Sequence, residues 1–362
     1  MYVTSLVFRS SFRARRPTAS VLLLPVLACF AALVAAGCSS NEASAKDGKS
    51  AGGELALPAL PDDPVALVPA GASMVVTVEL ASLRGTPLFD VLKRWAAQQS
   101  CGGVTPGSWL VDRAERIVVA GFERAPADKE GPEMRSLLIV RAPASAGDAA
   151  RLLAERAKVQ GQPEPVVQET TRGRFAYAEA NGIAAARLGD HLLAIGDAPV
   201  LAAALDVADG KQPAWPNGDP ASAQLLEKGW LTGHSAGLIG RISERGAKRM
   251  KRALSKVGAG STPLDQGALT FSLDVSDGLR ANAQVGLPDP ASADRAAGDL
   301  KNSFGQLDLI LRLTGLPSAL ANPEIHTEGK DLKLSLTLSA DDVRILLERL
   351  DTFAPPGEPR CT

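Results

Sequence analysis

The segment LTFSLDVSDGLRANAQV, residues 269–285, decides the fold class of this 362-residue chain. Apolar residues occupy every second position of two runs, Leu269–Val275 and Leu279–Val285, and polar residues fill most of the positions between them. This period of two places successive side chains on opposite faces of a strand. Asp277 and Gly278 lie between the runs and favour a two-residue turn. The segment therefore predicts an antiparallel hairpin with one buried and one solvated face.

Similar patterns extend along the chain in both directions. Further strands are predicted near residues 74–80, 116–122, 136–141, 236–242 and 332–338. Apolar residues at helical spacing predict helices near residues 88–99, 148–159, 198–207, 245–257, 300–311 and 340–350. Ser339 is expected to cap the last of these helices.

The strand and helix patterns occur twice in a similar order. At one strand-to-helix junction in each half, related residues recur: Val140, Pro143, Asp148, Ala150 and Leu153 in the first, and Val285, Pro288, Asp294, Ala296 and Leu300 in the second. The repetition predicts an α+β fold with a duplicated unit, an antiparallel sheet with helices packed on one face. Chance similarity in a chain rich in Ala and Leu is the alternative.

The predicted units are residues 63–210 and 221–353. The segment between them, residues 211–220, is rich in Pro, Asn, Gly and Asp, which is typical of a boundary. Residues 354–362 form a C-terminal tail.

The N-terminus has the charge order of a secretory signal. Four arginines, at positions 9, 13, 15 and 16, precede an apolar run over residues 21–36 with no acidic residue among them. The run is shorter than the roughly 20 residues of a spanning helix, and it contains Pro25, so a permanent transmembrane helix is the weaker interpretation.

The sequence Leu33-Val34-Ala35-Ala36-Gly37-Cys38 follows this run. It resembles the lipobox of bacterial lipoproteins, although Ala35 stands where that family prefers Leu. The resemblance implies that residues 1–37 are a signal peptide and that Cys38 is lipidated. Ser39 takes the place of the Asp that retains lipoproteins at the inner membrane, so the resemblance implies an outer-membrane location. Residues 38–62 have few large apolar side chains and are expected to form a flexible tether.

Removal of the signal peptide leaves 35 basic and 40 acidic residues, a net charge of about −5. Nucleic-acid binding requires concentrated positive charge, so the composition argues against it.

One motif suggests catalysis. Gly233-His234-Ser235-Ala236-Gly237 matches the G-x-S-x-G nucleophile elbow of α/β-hydrolases, and His326 lies downstream. The elbow requires a strand before the serine and a helix after it, whereas here the predicted strand follows Ser235. We therefore expect a turn that leads into a strand, and no catalytic residues. The predicted function is a lipid-anchored, non-enzymatic binding or structural module; a tethered serine hydrolase using Ser235 is the alternative.

The sequence predicts neither a metal site nor a cofactor. The three histidines, His191, His234 and His326, have no His or Cys at ligand spacing.

The predicted helix over residues 245–257 is amphipathic. Its polar side includes Lys248, Arg249, Lys251 and Arg252. These cations suit contact with an anionic surface; a docked helix with a solvated outer face is the alternative. The expected partners are the membrane, through the lipid, and another envelope protein or an anionic envelope polymer.

The mature chain retains two candidate disulfide cysteines. Cys29 leaves with the signal peptide and Cys38 carries the lipid, so Cys101 can pair within the chain only with Cys361. An exported compartment permits this bond. It would close a loop of about 260 residues, for which the chain-entropy model gives on the order of 5 kcal/mol. Two free thiols are the alternative.

Overall fold

The structure is a computed structural model that describes residues 60–90, 93, 108–123, 134–145, 147–159, 168–241 and 267–353. These residues form one sheet with helices packed against it. The strands are β1 Met74–Glu79, β2 Arg116–Glu123, β3 Met134–Arg141, β4 Gln168–Arg172, β5 Phe175–Ala180, β6 Ile183–Leu188, β7 Leu192–Asp197, β8 Ala236–Arg241, β9 Ala268–Asp274, β10 Gly278–Gly286, β11 Glu324–Glu328 and β12 Asp331–Ser339. The helices are α1 Leu80–Leu83, α2 Ser108–Val111, α3 Asp148–Val159, α4 Ala198–Ala208, α5 Pro220–Glu227, α6 Pro290–Thr314 and α7 Ala340–Phe353. Two 3-10 turns, Pro64–Leu67 and Ser318–Ala321, complete the described elements.

The sheet has the order β11-β12-β10-β9-β8-β1-β2-β3-β7-β6-β5-β4, and every pair is antiparallel. Two halves meet where β1 pairs with β8. Outward from this seam, the first half runs β1-β2-β3-β7-β6 and the second half β8-β9-β10-β12-β11. Helix α3 follows β3 as α6 follows β10, and α4 follows β7 as α7 follows β12. The predicted α+β fold with a duplicated unit is confirmed.

The sheet has two faces with different cover. Face A carries Val140, Leu193, Leu273 and Leu338, and it packs against α3, α7 and the C-terminal part of α6. A smaller core on the same face joins the N-terminal half of α6 to Leu332 of β12 and Ile325 of β11. In the second half the described helices on β9–β12 thus lie mainly on face A, as predicted.

Face B is buried in the first half and largely polar in the second. Helix α4 and the first 3-10 turn cover Ile139 and Ala186 in the first half, and α5 lies over β8 and β9 beside the seam. Strands β6 and β7 are apolar on both faces, and nearly all of their residues are buried. A strand that is buried on both faces loses its alternation. The first half therefore has helices on both faces, and its sheet is the middle layer of three.

Four-residue motifs fix the starts of several helices. Asp219-Pro-Ala-Ser222 begins α5 and Asp289-Pro-Ala-Ser292 begins α6; in each, the aspartate accepts hydrogen bonds from the backbone N–H and hydroxyl of the serine. The proline occupies the first turn, where its missing N–H costs nothing. The predicted cap of the last helix is confirmed, because Ser339 and Asp342 bond reciprocally as a capping box.

Three details differ from the sequence-based predictions. The two-residue turn at Asp277-Gly278 is wrong: the last pair between β9 and β10 is Asp274 with Arg280, so five residues separate the paired positions, and the last two of these, Gly278 and Leu279, already belong to β10. Strand β11 was not predicted, since only Ile325 of its five residues is strongly apolar. Leu60, near the end of the predicted tether, packs against the face B core, so the packed region includes this end of the predicted tether.

Candidate functional site

The seam between the halves carries a group of polar side chains at the edge where β1 ends and β2 and β8 begin. The carbonyl of Leu231 is its centre, since it accepts hydrogen bonds from the Thr77 hydroxyl at 3.1 Å and from the Arg116 guanidinium at 2.9 Å. Thr77 belongs to β1 and Arg116 to β2, whereas Leu231 precedes β8. These bonds tie the chain that enters the second half to two strands of the first.

Arg116 also holds two carboxylates. Its Nε lies 2.8 Å from Glu79 Oε1 and its Nη1 lies 3.1 Å from Asp63 Oδ1. Burial raises the pKa of Glu79, and the Arg116 charge opposes this shift. Asp63 accepts a bond from the Val65 amide as the cap of the first 3-10 turn. The guanidinium is thus shared among three structural contacts, which leaves it little capacity for a ligand.

A histidine–aspartate pair lies beside this group. His234 Nδ1 is 3.0 Å from both carboxylate oxygens of Asp274. The two side chains are partly exposed, at 28% and 35%. Sequence reasoning missed this pair because Asp274 lies 40 residues downstream and only the β8–β9 pairing brings it near. The pair joins the entrance of β8 to the end of β9.

Ser235 does not have the surroundings of a hydrolase nucleophile. Its residue is buried, and its Oγ accepts a hydrogen bond from the Val275 amide at 3.1 Å. A strand follows it, whereas an elbow requires a helix. His326 lies on β11, four strands away from β8, or about 19 Å at ordinary strand spacing. The structure therefore does not bring Ser235 and His326 together.

Face B of the second half carries a row of hydrogen-bonded polar side chains, here called the polar ladder. It consists of Ser272 on β9, Asn282 on β10 and Ser335 on β12, which are paired neighbours in register. The Ser335 hydroxyl donates to Asn282 Oδ1 at 2.9 Å, and Asn282 Nδ2 donates to Ser272 Oγ at 3.4 Å. Further along β10, Gln284 donates diagonally to Asp331 of β12 at 2.7 Å. Such a surface offers hydroxyl and amide groups but no activated nucleophile.

Several predicted site residues lie outside the described residues. These are the lipidation candidate Cys38, the disulfide candidates Cys101 and Cys361, and the cations Lys248, Arg249, Lys251 and Arg252. Within the described ranges, no three His, Cys, Asp or Glu side chains are grouped so that they could hold a metal ion. None of the helices described has both the length and the apolar character needed to cross a membrane.

Comparison with known proteins yields only a distant structural similarity. No protein-family model and no curated protein matches the chain. Crystal form I of the protein TP0453 aligns with a TM-score of 0.43 at 15% identity, over 79% of this chain and 97% of TP0453. Crystal form III aligns with a TM-score of 0.45 at 14% identity, over 80% and 99% of the two chains. Crystal form IV gives 0.45 at 15% identity, over 79% and 96%. Similarity at this level indicates nothing about activity.

Proposed function

We propose that the protein is a lipid-anchored component of the cell envelope, at the outer membrane, and that it acts as a non-enzymatic binding or structural module. The observation that carries the proposal is the sequence Leu33–Cys38 behind a basic and then apolar N-terminus. Leu60, which packs against the face B core, lies 22 positions after Cys38 in the sequence.

A fractionation experiment tests the anchor. A single acyl chain binds a membrane only marginally and several bind it stably, so a processed lipoprotein should be recovered with the membranes. We expect Cys38→Ala to release the protein or to leave it unprocessed. Cys29→Ala, inside the predicted signal peptide, is the matched control and should behave like the parent. A Cys38→Ala variant that fractionates and migrates like the parent contradicts the proposal.

The non-enzymatic part is supported by the surroundings of Ser235 and by the polar ladder, whose members bond one another. A serine-directed fluorophosphonate probe separates this proposal from the hydrolase alternative. We expect no labelling that depends on Ser235, and labelling that disappears in Ser235→Ala would overturn it.

The basic segment supplies a second contact with the envelope in this proposal. Lys248, Arg249, Lys251 and Arg252 would add roughly 1 kcal/mol each near an anionic surface. Sedimentation of the unlipidated chain with vesicles tests this: binding to vesicles with anionic lipid should fall when all four residues are changed to Gln. Equal binding by both forms contradicts it.

We also propose that Cys101 and Cys361 form a disulfide after export. Thiol titration of the denatured, unreduced mature protein should then find no free cysteine. Two free thiols would contradict the bond.

A further inference from the structure

We propose that the outer edge of β11 is a docking site for an extended, basic segment of a partner protein, which adds to the sheet as a further strand. This inference deepens the proposed binding function and rests on it. It starts from a difference between the two halves. In the first half β6 pairs along its outer edge with β5, and β5 pairs in turn with β4. In the second half β11 occupies the position of β6, and no described strand pairs with its outer edge.

The hairpin geometry determines which backbone groups this edge offers. Glu328 pairs with Asp331 around the two-residue turn Gly329–Lys330, so these two residues are a hydrogen-bonded pair. Such pairs alternate along antiparallel strands. His326 and Glu324 therefore bond to β12, whereas Ile325 and Thr327 direct their N–H and C=O groups outward. These outward groups are the ones that β-strand addition uses.

Helix α6 fixes β11 from face A of the sheet. Ile325 is buried on face A with Ala293, Ala296 and Ala297 of α6. The Thr327 hydroxyl donates to Asp294 of the same helix at 2.8 Å. The register between β11 and β12 is continuous over all five residues, without a bulge. A rigid and regular edge binds an incoming strand with little loss of conformational entropy.

The acidic residues on and beside β11 favour a basic partner. Glu324 and Glu328 are exposed at the two ends of β11, and Asp294 lies beside Thr327. Glu328 also pairs with Lys333 of β12, which lowers the pKa of the glutamate. If two copies paired through β11 around His326, Glu324 of each would face Glu328 of the other. Like charges directly opposite each other are unfavourable, so self-pairing in this register is disfavoured, and the exposed glutamates with Asp294 favour an incoming strand that carries Lys or Arg.

A peptide titration tests the proposal on the full mature chain. The probe is a fluorescent peptide of alternating Lys and Val, and the reference is a peptide of alternating Glu and Val, both followed by fluorescence anisotropy. We expect saturable binding of the Lys–Val peptide only. N-methylation of every second amide of that peptide should abolish binding, because it removes the donors that face the edge.

Variants of one residue provide the matched control. Thr327→Pro removes an outward N–H and leaves the bonds to β12, so affinity should fall about tenfold or more. Thr327→Val loses the same hydroxyl but keeps the N–H, and it should bind like the parent. The double change Glu324→Lys with Glu328→Lys should transfer the preference to the Glu–Val peptide. This second test is independent of whether the Thr327→Pro variant folds.

The results separate this inference from the proposed function. No saturable binding of the Lys–Val peptide, or equal affinity in Thr327→Pro and Thr327→Val, overturns the docking site. If Cys38 still controls membrane recovery in that case, the anchor proposal stands and only the edge proposal fails.

Discussion

The two halves of the sheet use the same order of strands but different cover. In the first half β6 is apolar except for Arg187 and lies between helices on both faces, whereas in the second half the equivalent β11 alternates and exposes Glu324, His326 and Glu328. Topology therefore does not set the number of layers; the residues on face B do. In the first half the apolar residues on face B pack against helix α4, whereas β9, β10 and β12 carry polar residues there that bond to one another.

A buried charge provides the largest test of this comparison. Ala186 on β6 is fully buried on face B, and His326 is exposed on face B of β11. We expect Ala186→Lys to destabilise the protein by several kcal/mol, because it places an unpaired charge between β6 and the helices. His326→Lys should change stability by less than about 0.5 kcal/mol. Urea unfolding followed by circular dichroism measures both, and similar losses would contradict the difference in cover.

The seam gives the next largest effect. A Cβ on Gly237 would lie 2.2 Å from the Trp230 carbonyl oxygen, a backbone atom that cannot move aside easily. Gly237→Ala should therefore cost about 1–3 kcal/mol. Gly240, on the same strand, has only an ordinary contact at 3.5 Å with the flexible Met74 side chain. Gly240→Ala should change stability by less than about 1 kcal/mol. An equal loss of stability in the two variants would contradict the close approach of the Trp230 carbonyl to Gly237.

Equivalent helices differ in the pH dependence of their first turns. Burial would raise the pKa of Asp148 at the start of α3, but hydrogen bonds from Ser145 and Arg113 outweigh it and hold the pKa below its usual value. A lowered folded pKa contributes stability above the unfolded pKa, near 3.9, and this stability is lost as the pH falls through the folded value. Asp148→Asn should cost about 1 kcal/mol at pH 7 and progressively less below pH 4.

Asp289, which begins the equivalent helix α6, is the control. The backbone N–H of Ser292 is the main cause of its lowered pKa, and its carboxylate is exposed to solvent. Asp289→Asn should therefore lose less at pH 7, as measured by thermal unfolding across the pH range. A larger loss for Asp289→Asn would contradict the comparison.

Two buried threonines on face B give the smallest expected effects. Thr77 and Thr270 are both 1% exposed. The Thr77 hydroxyl bonds to Leu231, whereas Thr270 Oγ1 has no hydrogen-bond partner among the described residues. Thr77→Val should cost about 1 kcal/mol, and Thr270→Val should be neutral or slightly stabilising. A larger loss in the free energy of unfolding for Thr270→Val than for Thr77→Val, measured by denaturant titration, would contradict these roles of the two hydroxyls.

Much of the fold was predictable because local patterns and tertiary packing agree. Strands β9, β10 and β12 alternate clearly, and α3 has the predicted bounds of Asp148–Val159. Helix α5 was missed because its Asp219-Pro220 start lies in a segment of loop-like composition; the same four residues begin α6 and were a usable signal.

The site could not be predicted to the same extent. Ser235 was found by its motif, but the pairing of His234 with Asp274 depends on the register of β8 and β9. The polar ladder likewise requires three strands to be aligned, and β11 is too short for a pattern of period two to identify it. Relations between strands are set by the whole sheet, and no local signal in the sequence encodes them.

The central claim is that β6 is paired along both edges whereas β11 has an unpaired outer edge. Amide hydrogen exchange of the free protein tests it most directly, since it compares the two strands in one measurement. Strand β6 is paired on both sides, so the amides of Ala184 and Ala185 should exchange slowly alike. On β11 the amide of His326 should be protected, whereas those of Ile325 and Thr327 should exchange much faster. Equal and slow exchange along β11 would mean that its outer edge is already covered, and it would contradict the account.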